Sequence, residues 1–258
     1  MRAFDLLIAG RRLECAWWGP GQGPCIVLLH EGLGCLALWR DFPARLAEAT
    51  GMRVLAWSRA GYGQSSAVKP PRPVGYMHRE AQDWVRPVLD AAAVGDCILL
   101  GHSDGGSIAA LYAGTQADPR VRGLALLAPH FLVEEITIAG IEAARDRYTQ
   151  GDLRARLARY HADVDGAFWG WNGAWLNPDF RAWNIEAACA GIHVPSLIVQ
   201  GLADPYGSAA QVQAAQRNFG APVRPLLLDG IGHAPQGEAA DAVLRAVAGF
   251  AAGMFPQP

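Results

Sequence analysis

The segment Cys97-Ile98-Leu99-Leu100-Gly101-His102-Ser103-Asp104-Gly105-Gly106-Ser107 decides how this chain folds. Four apolar residues run into a Gly-x-Ser-x-Gly pattern, and a helical pattern from Ser107 to Ala117 follows at once. A strand, a tight turn and a helix in that order put the turn's serine on strained backbone above the carboxyl end of a sheet. Strand and helix approach closely only where the neighbours are small; Gly101 and Gly105 supply that, and Gly106 adds room for the helix. A helix N-terminus beneath the serine favours negative charge developing nearby. Ser103 is therefore the candidate nucleophile.

Outward from this segment, short apolar runs alternate with helical patterns. The runs are Cys25–Leu29, Met52–Trp57, Cys97–Leu100, Leu124–Leu127, Ser196–Gln200 and Arg224–Leu228. Unbroken apolar runs of this length suit strands covered on both faces, which predicts an α/β fold with a mostly parallel central sheet and helices on both faces. Helices are expected near residues 38–49, 79–93, 105–117, 208–219 and 237–251. Phe4 to Trp18, turning at Ala9-Gly10-Arg11, reads as an antiparallel hairpin at the sheet edge. Residues 131–190 break the alternation: they offer charged helical stretches and then Trp169, Trp171, Trp175 and Trp183. They read as a helical lid inserted into a core formed by residues 1–130 and 191–258. Lys69 to Gly75 is a Pro/Gly-rich surface connection.

Composition narrows the function classes. The 258 residues are 51% hydrophobic and 18% charged with a net charge of -2, enough to bury a large core and too balanced to suggest a nucleic acid or an anionic membrane surface as partner. The five cysteines, Cys15, Cys25, Cys35, Cys97 and Cys189, show neither Cys-x-x-Cys nor a Cys/His metal pattern. A reducing compartment fits them better than a disulfide framework. The N-terminal stretch carries Asp5 early and has no apolar run suited to a signal peptide. No window approaches the roughly 20 apolar residues that span a bilayer. The expectation is a cytoplasmic protein acting on a small molecule, with no metal and no organic cofactor.

A serine hydroxyl needs a base, and the base needs an orienting acid. Among the seven histidines, His233 lies in Asp229-Gly230-Ile231-Gly232-His233-Ala234-Pro235, a loop between the last apolar run and the last helix. Asp204 lies in Gln200-Gly201-Leu202-Ala203-Asp204-Pro205, just after the preceding run. In a parallel sheet both loops open on the same face as Ser103. His30 and His102 compete as bases, although strand alternation turns His102 away from Ser103. Asp229 and Glu238 compete as acids, and Asp229 could instead hold the histidine loop.

With its serine elbow, acid loop and histidine loop in this chain order, the sequence resembles the α/β-hydrolase superfamily over nearly its whole length. The stretch Ala56 to Ser66 looks like that superfamily's D-x-R-G-x-G-x-S segment but departs from it at Ser58 and Ala60. The resemblance implies Ser103, Asp204 and His233 as the catalytic residues. It also implies an oxyanion loop at His30-Glu31-Gly32-Leu33-Gly34, where the family pattern is H-G-x-x-G. The oxyanion donors are then the N–H groups of Asp104 and Gly32, with Glu31 or Leu33 as alternatives for the second. Glu31, Leu33, His130, Phe131, Trp169 and Trp171 are the candidate substrate-binding residues. Glu31 either faces solvent or pairs with an arginine, or else it reaches a polar substrate group. The Asp104 side chain points inward or orients the lid side.

The implied reaction is hydrolysis of a small apolar or aromatic ester, lactone or thioester through an acyl-enzyme. The same triad also serves C–C bond hydrolases and perhydrolases, and a ligand receptor can be built on this scaffold. A homodimer through the lid or the edge strand is compatible with such a fold.

Overall fold

A computed structural model describes residues 1–255. Its sheet has eight strands: β1 (Arg2–Ile8), β2 (Arg11–Trp18), β3 (Cys25–Leu29), β4 (Arg53–Trp57), β5 (Cys97–His102), β6 (Val121–Leu127), β7 (Ser196–Gly201) and β8 (Val223–Leu228). Their spatial order is β1-β2-β4-β3-β5-β6-β7-β8. The hairpin β1–β2 pairs antiparallel and joins β4 antiparallel, while β4 through β8 run parallel. The apolar runs are central for the expected reason. In β5, Cys97 and Leu99 enter the core on one face, and Ile98 and Leu100 enter it on the other. A strand buried on both sides has no polar alternation to show.

Helices Phe42–Thr50 and Ala240–Met254 pack together on one face of the sheet. Helix Asp104–Gln116 lies on the opposite face and is buried continuously from Asp104 to Tyr112. The helix expected over 79–93 is interrupted: Tyr76–Arg79 and Arg86–Ala91 are α-helical, and Glu80–Val85 between them is a π-helix. Pro87 explains part of this, since it has no N–H for the carbonyl four residues back and its ring crowds that turn.

Among the described residues, the chain between β6 and β7 adds no strand to the sheet. It forms helices Glu135–Thr149, Leu153–Leu157, Val164–Trp175 and Glu186–Cys189, with a 3-10 turn at Pro178–Ala182. An isolated antiparallel bridge between Leu132 and Asn184 ties its two ends. The segment reaches the carboxyl end of the sheet through Trp175, whose indole N–H donates to Asp104 at 3.2 Å and to the Tyr76 hydroxyl at 3.1 Å. No helix among the described residues is long and apolar enough to cross a membrane.

Candidate active site

Ser103 follows β5 directly and starts the helix Asp104–Gln116, with φ 53° and ψ -120°. A residue with a side chain avoids that conformation unless its surroundings impose it. The glycines around it impose it here. A Cβ on Gly101 would sit 2.2 Å from the Gly105 carbonyl oxygen, and one on Gly105 would sit 2.0 Å from the Leu29 carbonyl oxygen. Leu29 pairs with Gly101 across β3 and β5, so the loop after β3 begins beside the elbow.

Parallel strands bring the remaining groups to the same end. The Ser103 hydroxyl lies 2.9 Å from His233 Nε2, and His233 Nδ1 lies 2.8 Å from Asp204 Oδ2. A carboxylate only accepts, so Nδ1 carries the hydrogen and Nε2 is left to accept from the serine. Asp204 also accepts from the Tyr206 N–H at 2.8 Å and from Gln200 Nε2 at 2.9 Å. Burial raises the Asp204 carboxyl, but the His233 hydrogen bond and charge and these two donors outweigh it, so its pKa falls below the usual value.

The competing residues have other partners. His30 Nε2 accepts from the Arg59 N–H at 3.0 Å, and its Nδ1 lies 2.7 Å from the Glu31 carbonyl oxygen. Arg59 also donates to the Glu31 carbonyl at 2.9 Å, so the loop after β3 is fastened to the turn after β4. Glu238, rather than Asp229, holds the histidine loop: its carboxylate accepts from the Gly232 N–H at 2.7 Å and the Ala234 N–H at 3.0 Å. Asp229 is exposed. Ser58, where the family pattern has Asp, donates to Glu14 and accepts from the Leu36 N–H at 2.8 Å.

A cavity of about 110 Å³ opens over Ser103 and His233. Glu31, Gly32, Leu33, Asp104, His130 and Trp171 all contribute to its wall, and sequence reasoning named each of them. Phe131 and Trp169 do not, which corrects the expectation for both. Phe131 is fully buried in the core, edge-on to Phe219 at 5.6 Å. Trp169 is 37% exposed and packs against Tyr148 and Phe168. Three wall residues were missed: Ile141, Trp175 and Tyr206. Trp175 had a readable signal, because it stands four residues from Trp171 and so shares its helix face. Trp169, two residues from Trp171, lies elsewhere on the helix.

The loop after β3 and the elbow face each other across this cavity. Gly34 N–H closes a turn on the Glu31 carbonyl at 3.1 Å, which leaves Gly32 and Leu33 at its tip. A Cβ on Gly32 would lie 2.0 Å from Trp171 Nε1, so the indole rests directly on this glycine. Glu31 pairs with neither solvent alone nor an arginine: its carboxylate reaches His102. The Asp104 side chain is buried and accepts from the Tyr76 hydroxyl and the Trp175 indole, which combines an inward position with a contact to the 131–190 segment. Burial raises its pKa above the usual value. Among the described residues, no group of three or more His, Cys, Asp or Glu side chains could hold a metal ion. All five cysteines are buried and free.

A strained serine at a helix start, a histidine behind it and a buried carboxylate behind that, on the carboxyl ends of three parallel strands, make up the site arrangement of an α/β-hydrolase fold. The model of the alpha/beta hydrolase fold family matches residues 24–186, and the chain belongs to that family. A provisionally named carbamate hydrolase, RutD, from Variovorax paradoxus (strain S110) is 36% identical over 110 residues, covering 42% of this chain and 39% of that protein. The chain thus spans about two fifths of that relative's length. Epoxide hydrolase A from Mycobacterium tuberculosis is 25% identical, with 95% of each chain covered. Among solved structures, a serine hydrolase from the polyaromatic hydrocarbon-degrading bacterium Cycloclasticus zankles superimposes with a TM-score of 0.78 at 18% identity, covering 99% of both chains. That last likeness concerns the fold alone.

Proposed function

We propose that this protein is a serine hydrolase that cleaves a small, neutral carboxylic ester through an acyl-enzyme. The relay Ser103–His233–Asp204, with links of 2.9 and 2.8 Å, is the observation that carries this reading. His233 takes the Ser103 proton while the hydroxyl oxygen attacks the ester carbonyl carbon. The oxyanion falls to the N–H of Asp104, at the helix start, and to that of Gly32 in the facing turn. His233 then returns the proton to the leaving alcohol and activates the water that releases the acid.

The cavity argues for a short acyl group. Its volume of about 110 Å³ is smaller than the roughly 150 Å³ in which an apolar protein cavity holds benzene. Trp171, Trp175, Ile141 and Leu33 make much of its wall apolar. The test is hydrolysis of p-nitrophenyl esters from acetyl to dodecanoyl, with benzoyl included, by wild type and Ser103→Ala. The expected outcome is turnover that peaks at short acyl chains and disappears in Ser103→Ala. Equal turnover by both proteins would remove Ser103 as nucleophile and the reading with it.

A further inference from the structure

His130 is held rigidly and yet its ring makes no hydrogen bond among the described residues. It stands three residues beyond β6. Its N–H donates to Ser107 Oγ at 3.1 Å, and the Ser107 hydroxyl donates back to the His130 carbonyl at 2.6 Å. The next N–H, of Phe131, donates to Gln211 Oε1 at 2.7 Å. The ring lies edge-on to Trp175 with centroids 5.1 Å apart, and Gly207 borders it on another side. A side chain placed so firmly, 2% exposed and on the wall of the catalytic cavity, is organised in advance for something.

The tautomer follows from the surroundings. Nδ1 is sealed from solvent and has no hydrogen-bond partner. A buried N–H without an acceptor is rarer and costlier than a buried bare lone pair, so the hydrogen belongs on Nε2, the nitrogen that remains reachable from the cavity. Burial, reinforced by the nearby His233, pushes the ring pKa down to about 3, so it is neutral at any working pH. The cavity therefore receives one uncharged donor from this side.

The acceptor it fits is also constrained. Glu31 and Asp104 are on the wall and neither Lys nor Arg is, among the described residues, so an anionic substrate group is disfavoured. The His130 and His233 rings are 5.8 Å apart, and His233 Nε2 touches the Ser103 hydroxyl. An acyl group on Ser103 lies within a few bonds of His130. We propose that His130 Nε2 donates to a neutral oxygen, a hydroxyl or keto oxygen, carried on the substrate's acyl chain close to the reacting carbonyl. This rests on the serine-hydrolase reading and narrows its substrate class to short oxygen-substituted acyl esters.

The test compares p-nitrophenyl butyrate with the p-nitrophenyl esters of 2-hydroxybutyrate and 3-hydroxybutyrate. Wild type, His130→Phe and His130→Gln are each assayed for kcat/KM, and each is labelled with a fluorophosphonate at Ser103. The ratio of hydroxylated to plain ester is compared between proteins, which cancels the esters' intrinsic reactivities. Wild type should favour one hydroxylated ester by roughly tenfold or more, since a site built around a hydrogen bond rejects the analogue that lacks it. His130→Phe should bring that ratio near its value for uncatalysed hydrolysis, and His130→Gln, which keeps a donor, should restore part of it. A wild-type ratio no higher than the uncatalysed one overturns the proposal without any variant, as does a ratio unchanged in His130→Phe. Labelled Ser103 with no hydroxyl preference discards only the His130 proposal; absence of both labelling and ester turnover discards the serine-hydrolase reading and this proposal together.

Discussion

The Glu31 carboxylate lies 3.4 Å from His102 Nδ1, and the other ring nitrogen of His102 lies 2.7 Å from the His233 carbonyl oxygen. One imidazole thus links the turn after β3 to the loop that carries His233. A carbonyl only accepts, so Nε2 donates to it, and the facing carboxylate draws a second proton onto Nδ1. The Gln236 amide also stands 3.0 Å from Nδ1, with its own Oε1 buried and unpartnered. Turning that amide over sets Oε1 to accept from a protonated Nδ1 and moves the unpartnered place to the amide nitrogen.

This ion pair sets a pH dependence. Burial pulls His102 down, but the Glu31 hydrogen bond and charge outweigh it and its pKa is raised. Burial pushes Glu31 up, but His102 outweighs it and the carboxyl settles at about 2. The raised histidine contributes stability that is full below its unfolded value and lost as pH rises through its folded value. The depressed carboxyl contributes stability that is full above its unfolded value and lost as pH falls towards about 2. Glu31→Gln should therefore cost about 1 kcal/mol near pH 5.5, between the two unfolded values, and less at a pH above the folded value of His102, where the imidazole has lost the charge from which the Glu31 gain comes. Urea denaturation at the two pH values measures this, and an equal loss at both would argue against the pair.

Asp204 accepts from His233 Nδ1 at 2.8 Å, and in the proposed relay it orients that imidazole. Replacing it by Asn keeps the size but lets the imidazole take the wrong tautomer, with its hydrogen on the nitrogen facing Ser103. Asp204→Asn should lower kcat by roughly 10³–10⁴-fold, the scale of the same change in a serine protease triad. Fluorophosphonate labelling of Ser103 should slow in parallel. Retention of wild-type labelling would show that another acid supports His233.

Gly105 has the tightest requirement in the elbow. A Cβ there would press on the main chain of Leu29 and His30, neither of which has a flexible end that could yield. Gly105→Ala should destabilise the fold by about 3 kcal/mol or more, because strand β3 and the helix start must separate. Urea titration reads the loss. A variant as stable as wild type would mean that the two elements are not in that contact.

Arg72 and Glu80 form a buried ion pair at 3.0 Å, with side chains 6% and 8% exposed. Arg72 also donates to the Ala60 carbonyl at 2.6 Å and stacks over Tyr62 at 4.7 Å. Removing one partner strands the other charge, so Arg72→Met alone should cost about 3–5 kcal/mol. Arg72→Met with Glu80→Leu should recover a good part of that. A double-mutant cycle in urea separates the two cases; additive losses would mean that the ion pair carries no coupling.

The sequence by itself determined the features that depend on neighbours along the chain. The apolar runs that became β3 through β8, the edge hairpin and the glycine-flanked serine all follow from local rules of burial, turn geometry and steric size. The chain order of Ser103, Asp204 and His233 could be read because each follows a strand, and parallel strands deliver such residues to one end of a sheet. Only the tertiary structure decided what faces what. Trp171 and Trp175 wall the cavity while Trp169 packs outside it, because the packing of helix Val164–Trp175 chooses its inward face. Phe131 turned into the core, although its neighbour His130 turned towards the site. Glu31 found His102, and Glu238 took the loop role considered for Asp229, since a carboxylate's partner is set by distances across the fold. Those distances arise from packing between elements far apart in the chain, and neither composition nor spacing records them.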